Sequence, residues 1–242
     1  MKKIHLLILF TFAFNLFAQE NDFYKKNFDA YKDYLLKESG ILFKMPENYK
    51  DLNKYYVSFK IREDHAKFTG NMYGPMLISK DKECIVMYPA TVPIISKEIM
   101  EYWKKRTPAS ARPGPIENEI KTSLGLFYGP GNSLNNNSVK IDFDDYVTVI
   151  AGKKAREMFN ADSIYIYDIP GADSVFFFDK SIEKMRKEKY PNCTSLIILK
   201  NGTRGSIDIK LFFTEKGRKN KEKYINMLSK NIWYDEDFKE ED

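Results

Sequence analysis

The sequence predicts an α+β protein, a largely antiparallel sheet with helices packed on it. Three observations lead there. Short apolar runs recur in pairs around charged or Asn-Gly turns, the mark of hairpins. Amphipathic helical segments stand between these pairs without a regular strand–helix–strand alternation, which argues against a parallel sheet. With 43% apolar, 30% charged and 15% aromatic residues in 242, the chain can build a core without a metal or a disulfide.

The first segment is an address. Lys2 and Lys3 precede an apolar run, Ile4 to Phe14, and Leu16-Phe17-Ala18 leads into the polar Gln19. A basic start, a short apolar stretch and a small residue before a polar one make a bacterial-style signal peptide over residues 1–18. The run is shorter than the roughly twenty residues that span a bilayer. The expectation is an exported protein, periplasmic or secreted, with no transmembrane segment after cleavage. Removing residues 1–18 takes the formal charge from +5 to +3. That is a mixed, solvated surface and excludes a nucleic-acid footprint.

Residues 19–234 are expected to form a single α+β domain, with a loop-rich middle at 107–138 and a disordered acidic tail at 235–242. Tyr24, Phe28, Tyr31 and Leu35 recur at helical spacing, so residues 21–38 read as a helix stopped by Gly40. Ile41-Leu42-Phe43 is a short strand ended by Pro46. Tyr55 to Ile61 alternates as a half-buried strand. Met76 to Ser79 and Cys84 to Tyr88 flank Lys80-Asp81-Lys82-Glu83 as a first hairpin. Ser96 caps a helix carrying Ile99, Met100 and Trp103 inward. Three prolines and a glycine make 107–115 extended. A short helical piece follows over Glu117 to Leu124, and Tyr128 to Ser138 is the most loop-like stretch.

Asp144 or Asp145 caps a helix running to Phe159, with Tyr146, Val149, Ile150, Met158 and Phe159 inward. Ser163 to Ile169 is a strand, and Pro170-Gly171 turns it into a second hairpin with Val175 to Phe178. Ser181 to Lys189 is a basic helix stopped by Pro191. Leu196 to Leu199 and Ile207 to Phe213 flank Asn201-Gly202 as a third hairpin. Lys219 to Ile232 is the last helix. From Asp235 onwards six of eight residues are acidic, the composition of a solvated tail.

Two cysteines, Cys84 and Cys193, lie at strand starts. Small apolar Cys is a common core residue, so two unpaired thiols are the leading expectation, and the disulfide that an exported chain permits between Cys84 and Cys193 is the alternative.

The chemistry is defined mostly by what the motifs exclude. Beyond residue 18 the chain holds one histidine, His65, in a charged turn, so neither a Ser–His–Asp nor a Cys–His constellation is indicated. Neither CxxC nor HExxH occurs, and GxGxxG, GxxxxGK[ST] and GxSxG are all missing. Gly152-Lys153-Lys154 lacks the upstream glycine of a phosphate loop. No cofactor is expected. Asp142, Asp144 and Asp145, downstream of Asn135-Asn136-Asn137, form the one local cluster with the chemistry of a cation site or an acid–base pair. The cluster departs from the EF-hand pattern, and helix capping explains Asp144 or Asp145 without a ligand. Trp103, Arg112 and Tyr128, in and beside the loop-rich middle, are the candidate binding side chains. Tyr165 and Tyr167 add an aromatic pair on one strand face. The basic run Lys216, Arg218, Lys219, Lys221, Lys223 reads as a solvated helix start.

Two stretches carry a resemblance. Gly40-Ile41-Leu42-Phe43-Lys44-Met45-Pro46-Glu47-Asn48-Tyr49 resembles the opening "short strand, proline, two residues, aromatic" of PsbP-like proteins. The closing hairpin followed by Tyr224 to Ile232 is similar to their last strands and terminal helix. The resemblance implies an α/β/α sandwich that acts by docking on other proteins. It covers about a quarter of the chain after residue 18 and implies no functional residue.

The expected function is therefore that of an exported, non-catalytic binding protein for a protein or cell-envelope component, engaged through a sheet face or the 107–138 loops. One alternative is an exported carboxylate-dependent hydrolase of a glycan or peptide, using Asp142 and Asp144 or Glu63 and Asp64. The other is an inhibitor or immunity-type partner of another exported protein.

Overall fold

A computed structural model describes residues 28–62, 67–89, 101, 105, 116, 120, 143–169, 175–177, 180–200 and 205–238. Side chains are described outside 54–73, 143–144, 175–177 and 180–182. In chain order the elements are α1 (Phe28–Ser39), β1 (Ile41–Phe43), β2 (Tyr49–Arg62), β3 (Lys67–Ser79), β4 (Cys84–Pro89), α2 (Phe143–Tyr146), β5 (Thr148–Ala151) and α3 (Lys153–Phe159). There follow β6 (Ser163–Asp168), β7 (Val175–Phe177), α4 (Lys180–Lys189), β8 (Asn192–Leu199), β9 (Ile207–Phe213), α5 (Glu215–Arg218), α6 (Lys221–Leu228) and β10 (Ile232–Tyr234).

Eight strands form one sheet in the order β5-β6-β8-β9-β4-β3-β2-β7, every pair antiparallel. The remaining two, β1 and β10, make a separate antiparallel ribbon. The expected α+β class with an antiparallel sheet and packed helices is what the chain adopts.

Alternation along the strands sends side chains to two faces, and both are buried at the centre of the sheet. On the first face, Cys84, Val86, Ile207, Ile209, Leu211, Phe213, Leu196, Ile198 and Ile164 meet Phe28, Tyr31 and Leu35 of α1, Ala155 and Phe159 of α3, and Tyr224, Ile225 and Leu228 of α6. Each buried Val, Leu, Ile or Phe among them contributes on the order of 1.5–3 kcal/mol. Four rings, Phe28, Tyr31, Phe43 and Tyr88, stack with centroids 5.2–6.5 Å apart. The Tyr31 hydroxyl donates to Pro89 O at 2.5 Å, which joins α1 to β4. On the second face, Met76, Ile85, Met87, Cys193 and Phe212 pack beneath Tyr190 and Met185 at the α4 end. Ile116 and Ile120 cover Tyr165, Tyr167 and Ile197 beside them. Both residues are helical, as is one position of the piece expected over 117–124, Ile120.

The α1 helix ends where Gly40 takes φ +60° and its amide donates to Leu36 O at 3.0 Å. The β3–β4 hairpin closes around the expected charged turn, with Leu77 opposite Val86 and Ile78 opposite Ile85. Ser79 Oγ donates to Asp81 and accepts from the Glu83 and Cys84 amides. Asp81 also accepts from Lys223 Nζ at 3.0 Å and Tyr224 OH at 2.9 Å, which fastens the turn to α6.

Four expectations are corrected. The helix expected from Asp144 or Asp145 to Phe159 is broken into α2, β5 and α3. Thr148-Val149-Ile150 is β-branched and pairs with β6, and Gly152 restarts the helix at φ +65°. Tyr146 and Val149, expected inward, are 59% and 49% exposed. The β7 strand does not form a hairpin with β6. Both edges of β6 are taken by β5 and β8, so β7 pairs with β2 at the far margin of the sheet. The last helix ends at Leu228, and Ile232 opens β10. Of the acidic tail, Asp235 and Phe238 are tied to the fold, Glu236 and Asp237 are exposed, and 239–242 lie outside the described residues. The Asp235 amide donates to Gly40 O at 2.8 Å, and the Phe238 ring fills the space that a side chain at position 40 would need.

The hairpin tie carries a pH prediction. Partial burial raises the Asp81 pKa, but hydrogen bonds from Ser79, Lys223, Tyr224 and the Glu83 amide outweigh it and hold the carboxyl well below the usual range. A hydrogen bond from Thr214 and the Lys216 cation lower Glu83 in the same direction. A depressed folded pKa stabilises the fold above the unfolded value of about 4 and loses that contribution as pH falls. Stability in urea is expected to be level above about pH 5 and to drop on acidification, and Asp81→Asn is expected to flatten the drop. An unchanged acid limb in Asp81→Asn removes this carboxyl from the account.

Candidate functional site

Two places among the described residues are candidates for a functional site. The first lies on the second face of the sheet. The β8–β9 register sets Ser195 opposite Lys210, with Asp208 two residues along β9. Lys210 Nζ donates to Asp208 Oδ2 at 2.5 Å, to Asp208 Oδ1 at 2.6 Å and to Ser195 Oγ at 2.8 Å. Ser195 Oγ donates in turn to Asp208 Oδ1 at 2.8 Å. The serine is fully buried and the lysine side chain is 6% exposed.

A serine beside a lysine has the outline of a nucleophile and its base. Here the chemistry is the opposite. A lysine acts as base only when neutral, and the carboxylate at salt-bridge distance favours the ammonium. The cluster is a polar bracket that fixes β8 to β9. Its signal in the sequence was a pair of charges, Asp208 and Lys210, set between Ile207, Ile209 and Leu211.

The second place is a surface groove on the outer side of the β1–β10 ribbon. Ile41, Phe43, Ile232 and Tyr234 turn into the core, so alternation leaves Leu42 and Trp233, which face each other across the ribbon, on the outside. Leu42 is 39% exposed and Trp233 half-buried. The groove has a volume of about 370 Å³ and is lined by these two with Lys44, Glu157, Lys230 and Asn231.

Several bonds hold its walls. Lys44 N donates to Asn231 O at 2.8 Å. Lys230 sits at φ +63° and its amide donates to Met158 O at 2.7 Å, which seats the turn on the end of α3. Asn160 Nδ2 donates to Tyr234 O at 2.7 Å, and Tyr234 OH donates to the Ile198 and Gly205 carbonyls. The floor is therefore tied to both α3 and the main sheet. Glu157 lies 3.8 Å from Lys153, while Lys44 and Lys230 make no ion pair among the described residues.

Most of the expected site residues are not among those the structure describes. Trp103, Arg112, Tyr128, Asp142, Glu63, Asp64 and His65 lie outside the described residues. Asp144 is described in its backbone alone, within α2, and Asp145 is exposed. Among the described residues no group of three or more His, Cys, Asp or Glu side chains converges as a metal site would require. The sheet faces expected to engage a partner are buried over β4, β8 and β9. Sequence reasoning missed the groove because it ran the last helix to Ile232. The alternation Ile232-Trp233-Tyr234 after Asn231 was the available signal.

Of the two expectations for the cysteines, the unpaired thiols are what the structure shows, and the disulfide alternative falls. Cys84 and Cys193 are free and buried. They lie on opposite faces of the sheet with β9 between their strands, so two interstrand steps of about 4.8 Å separate them, beyond disulfide reach. Burial pushes the Cys193 thiol up to about 12, against the pull of the nearby Lys210 cation, and raises Cys84 in the same direction. Both thiols are unsuited to nucleophilic chemistry.

Comparisons with protein-family models, curated proteins and solved structures give no match. Among the described residues no helix is long and apolar enough to cross a membrane.

Proposed function

We propose that the protein is an exported, non-catalytic binding protein of the periplasm or the cell exterior, and that it engages a cell-envelope component through the β1–β10 groove. The observation that carries this reading is the Leu42–Trp233 pair. The rings of Phe28, Tyr31, Phe43 and Tyr88 are spent on the core, while Trp233 stays at the surface beside an exposed leucine. Polar groups rim the pair, the composition of a ligand cleft. The signal-peptide pattern of residues 1–18 supports export. The resemblance to PsbP-like proteins supports action by docking. The saturated Ser195–Lys210–Asp208 bracket and the two inert thiols favour binding over bond-breaking.

The test is co-sedimentation of the purified protein with washed envelope material. Wild type is expected in the pellet and Trp233→Ala in the supernatant. Equal pelleting of the two proteins removes the groove from the reading, and no pelleting of wild type removes the reading itself.

A further inference from the structure

We infer that the groove takes an acidic glycan, a short run of sugar rings bearing a carboxylate, and this rests on the reading of the groove as a binding site. Three features of the lining select that chemistry. Size comes first. At about 370 Å³ the groove stands at the small end of ligand clefts, roughly 300–1,000 Å³, and its size matches a short segment of a chain.

The second feature is the floor. Trp233 and Leu42 form an apolar platform at the water boundary, where an indole offers a large contact area with little conformational freedom to lose. A pyranose presents C–H bonds on its faces and hydroxyls around its rim. It can place the former on such a platform and the latter on the surrounding polar groups. Asn231 supplies one of these: its Nδ2 donates to Met227 O and Ser229 O, and its Oδ1 is left as an acceptor for a ligand hydroxyl. Glu157 supplies further acceptor oxygens.

Charge is the third. Lys44 and Lys230 bring two ammonium groups with no carboxylate partner among the described residues, against the single carboxylate of Glu157, which already has Lys153 beside it. A neutral sugar would leave both cations unused. A carboxylated one gains charge-assisted hydrogen bonds that are strongest at low salt.

An acidic peptide is the competing occupant. It would satisfy the cations but gives the indole no ring to stack on, so the tryptophan and lysine contributions separate the two.

The probes are oligogalacturonate, a neutral cello-oligosaccharide of the same length, and a poly-glutamate peptide, each titrated calorimetrically into the purified full chain. Oligogalacturonate is expected to bind at least tenfold more tightly than the neutral sugar, and more weakly as salt rises. The double variant Lys44→Gln/Lys230→Gln changes only exposed side chains, so it retains the fold. It is expected to lose at least tenfold in affinity and most of the salt dependence. Trp233→Ala, with its circular dichroism unchanged, is expected to abolish binding. Equal binding of the two sugars, no effect of the double lysine variant, or preference for poly-glutamate each overturns the assignment. If none of the probes binds while wild type still pellets with envelope and Trp233→Ala does not, the glycan assignment falls and the groove remains the binding site.

Discussion

Asp208→Ala is expected to lower the free energy of unfolding by about 3–5 kcal/mol, the range for breaking a buried ion pair from one side. Asp208 takes both short bonds from Lys210 Nζ, and Lys210 stands opposite Met87 of β4 and Ser195 of β8, on the face that also carries Cys193 and Phe212. Without the carboxylate, a charge whose side chain is 6% exposed loses its two shortest hydrogen bonds. Lys210→Met is expected to cost less, because Asp208 is 18% exposed and reaches water. The double variant is expected to recover much of the loss, since neither charge is then stranded. Urea denaturation of the three variants closes the cycle. A loss below about 1 kcal/mol for Asp208→Ala would mean that water reaches the ammonium, and the bracket would cease to explain the β8–β9 junction.

Gly217→Ala is expected to cost about 2–3 kcal/mol, an overpacking effect. A Cβ at position 217 would stand 2.2 Å from Glu83 O and 3.1 Å from its carbonyl carbon, and backbone cannot swing aside as a side chain can. The same carbonyl accepts from the Thr214 amide at 3.1 Å, while the Thr214 hydroxyl donates to the Glu83 carboxylate and accepts from the Gly217 amide. Moving α5 away to admit the methyl therefore strains the cap of the helix and its tie to the β3–β4 turn together. Gly152→Ala is the control. No atom lies within 4 Å of its added Cβ, so only the strain of φ +65° acts, about 1–2 kcal/mol. Thermal melts that rank Gly152→Ala as the more damaging would contradict the close approach of α5 to the turn.

Local pattern was legible and pairing was not. The β3–β4 hairpin could be read because Lys80 to Glu83 breaks two apolar runs that must lie side by side. Gly40 marked the end of α1 because a left-handed residue there is a backbone requirement. Thr148 to Ala151 misled because Asp144 and Asp145 offer a helix cap just upstream. The periodicity of Tyr146, Val149 and Ile150 fits a helix as well as a strand, and Gly152 was the break that settles it. Pro170-Gly171 is a turn signal, but a turn does not say which strand edge is open. That β6 is already flanked by β5 and β8 is a property of the whole sheet. The groove was illegible for the same reason: Leu42 and Trp233 are far apart in the chain, and only the ribbon register makes them neighbours.

That register has a temporal meaning. The ribbon joins the first strand of the described fold to the last, Asp235 reaches back to Gly40, and Phe238 covers the same glycine. During synthesis α1 and β1 emerge long before β10 exists, so this contact is among the most non-local the topology contains and is formed late. The ribbon that carries the groove is thus a seam between the first and last described strands, absent from any nascent fragment that lacks β10.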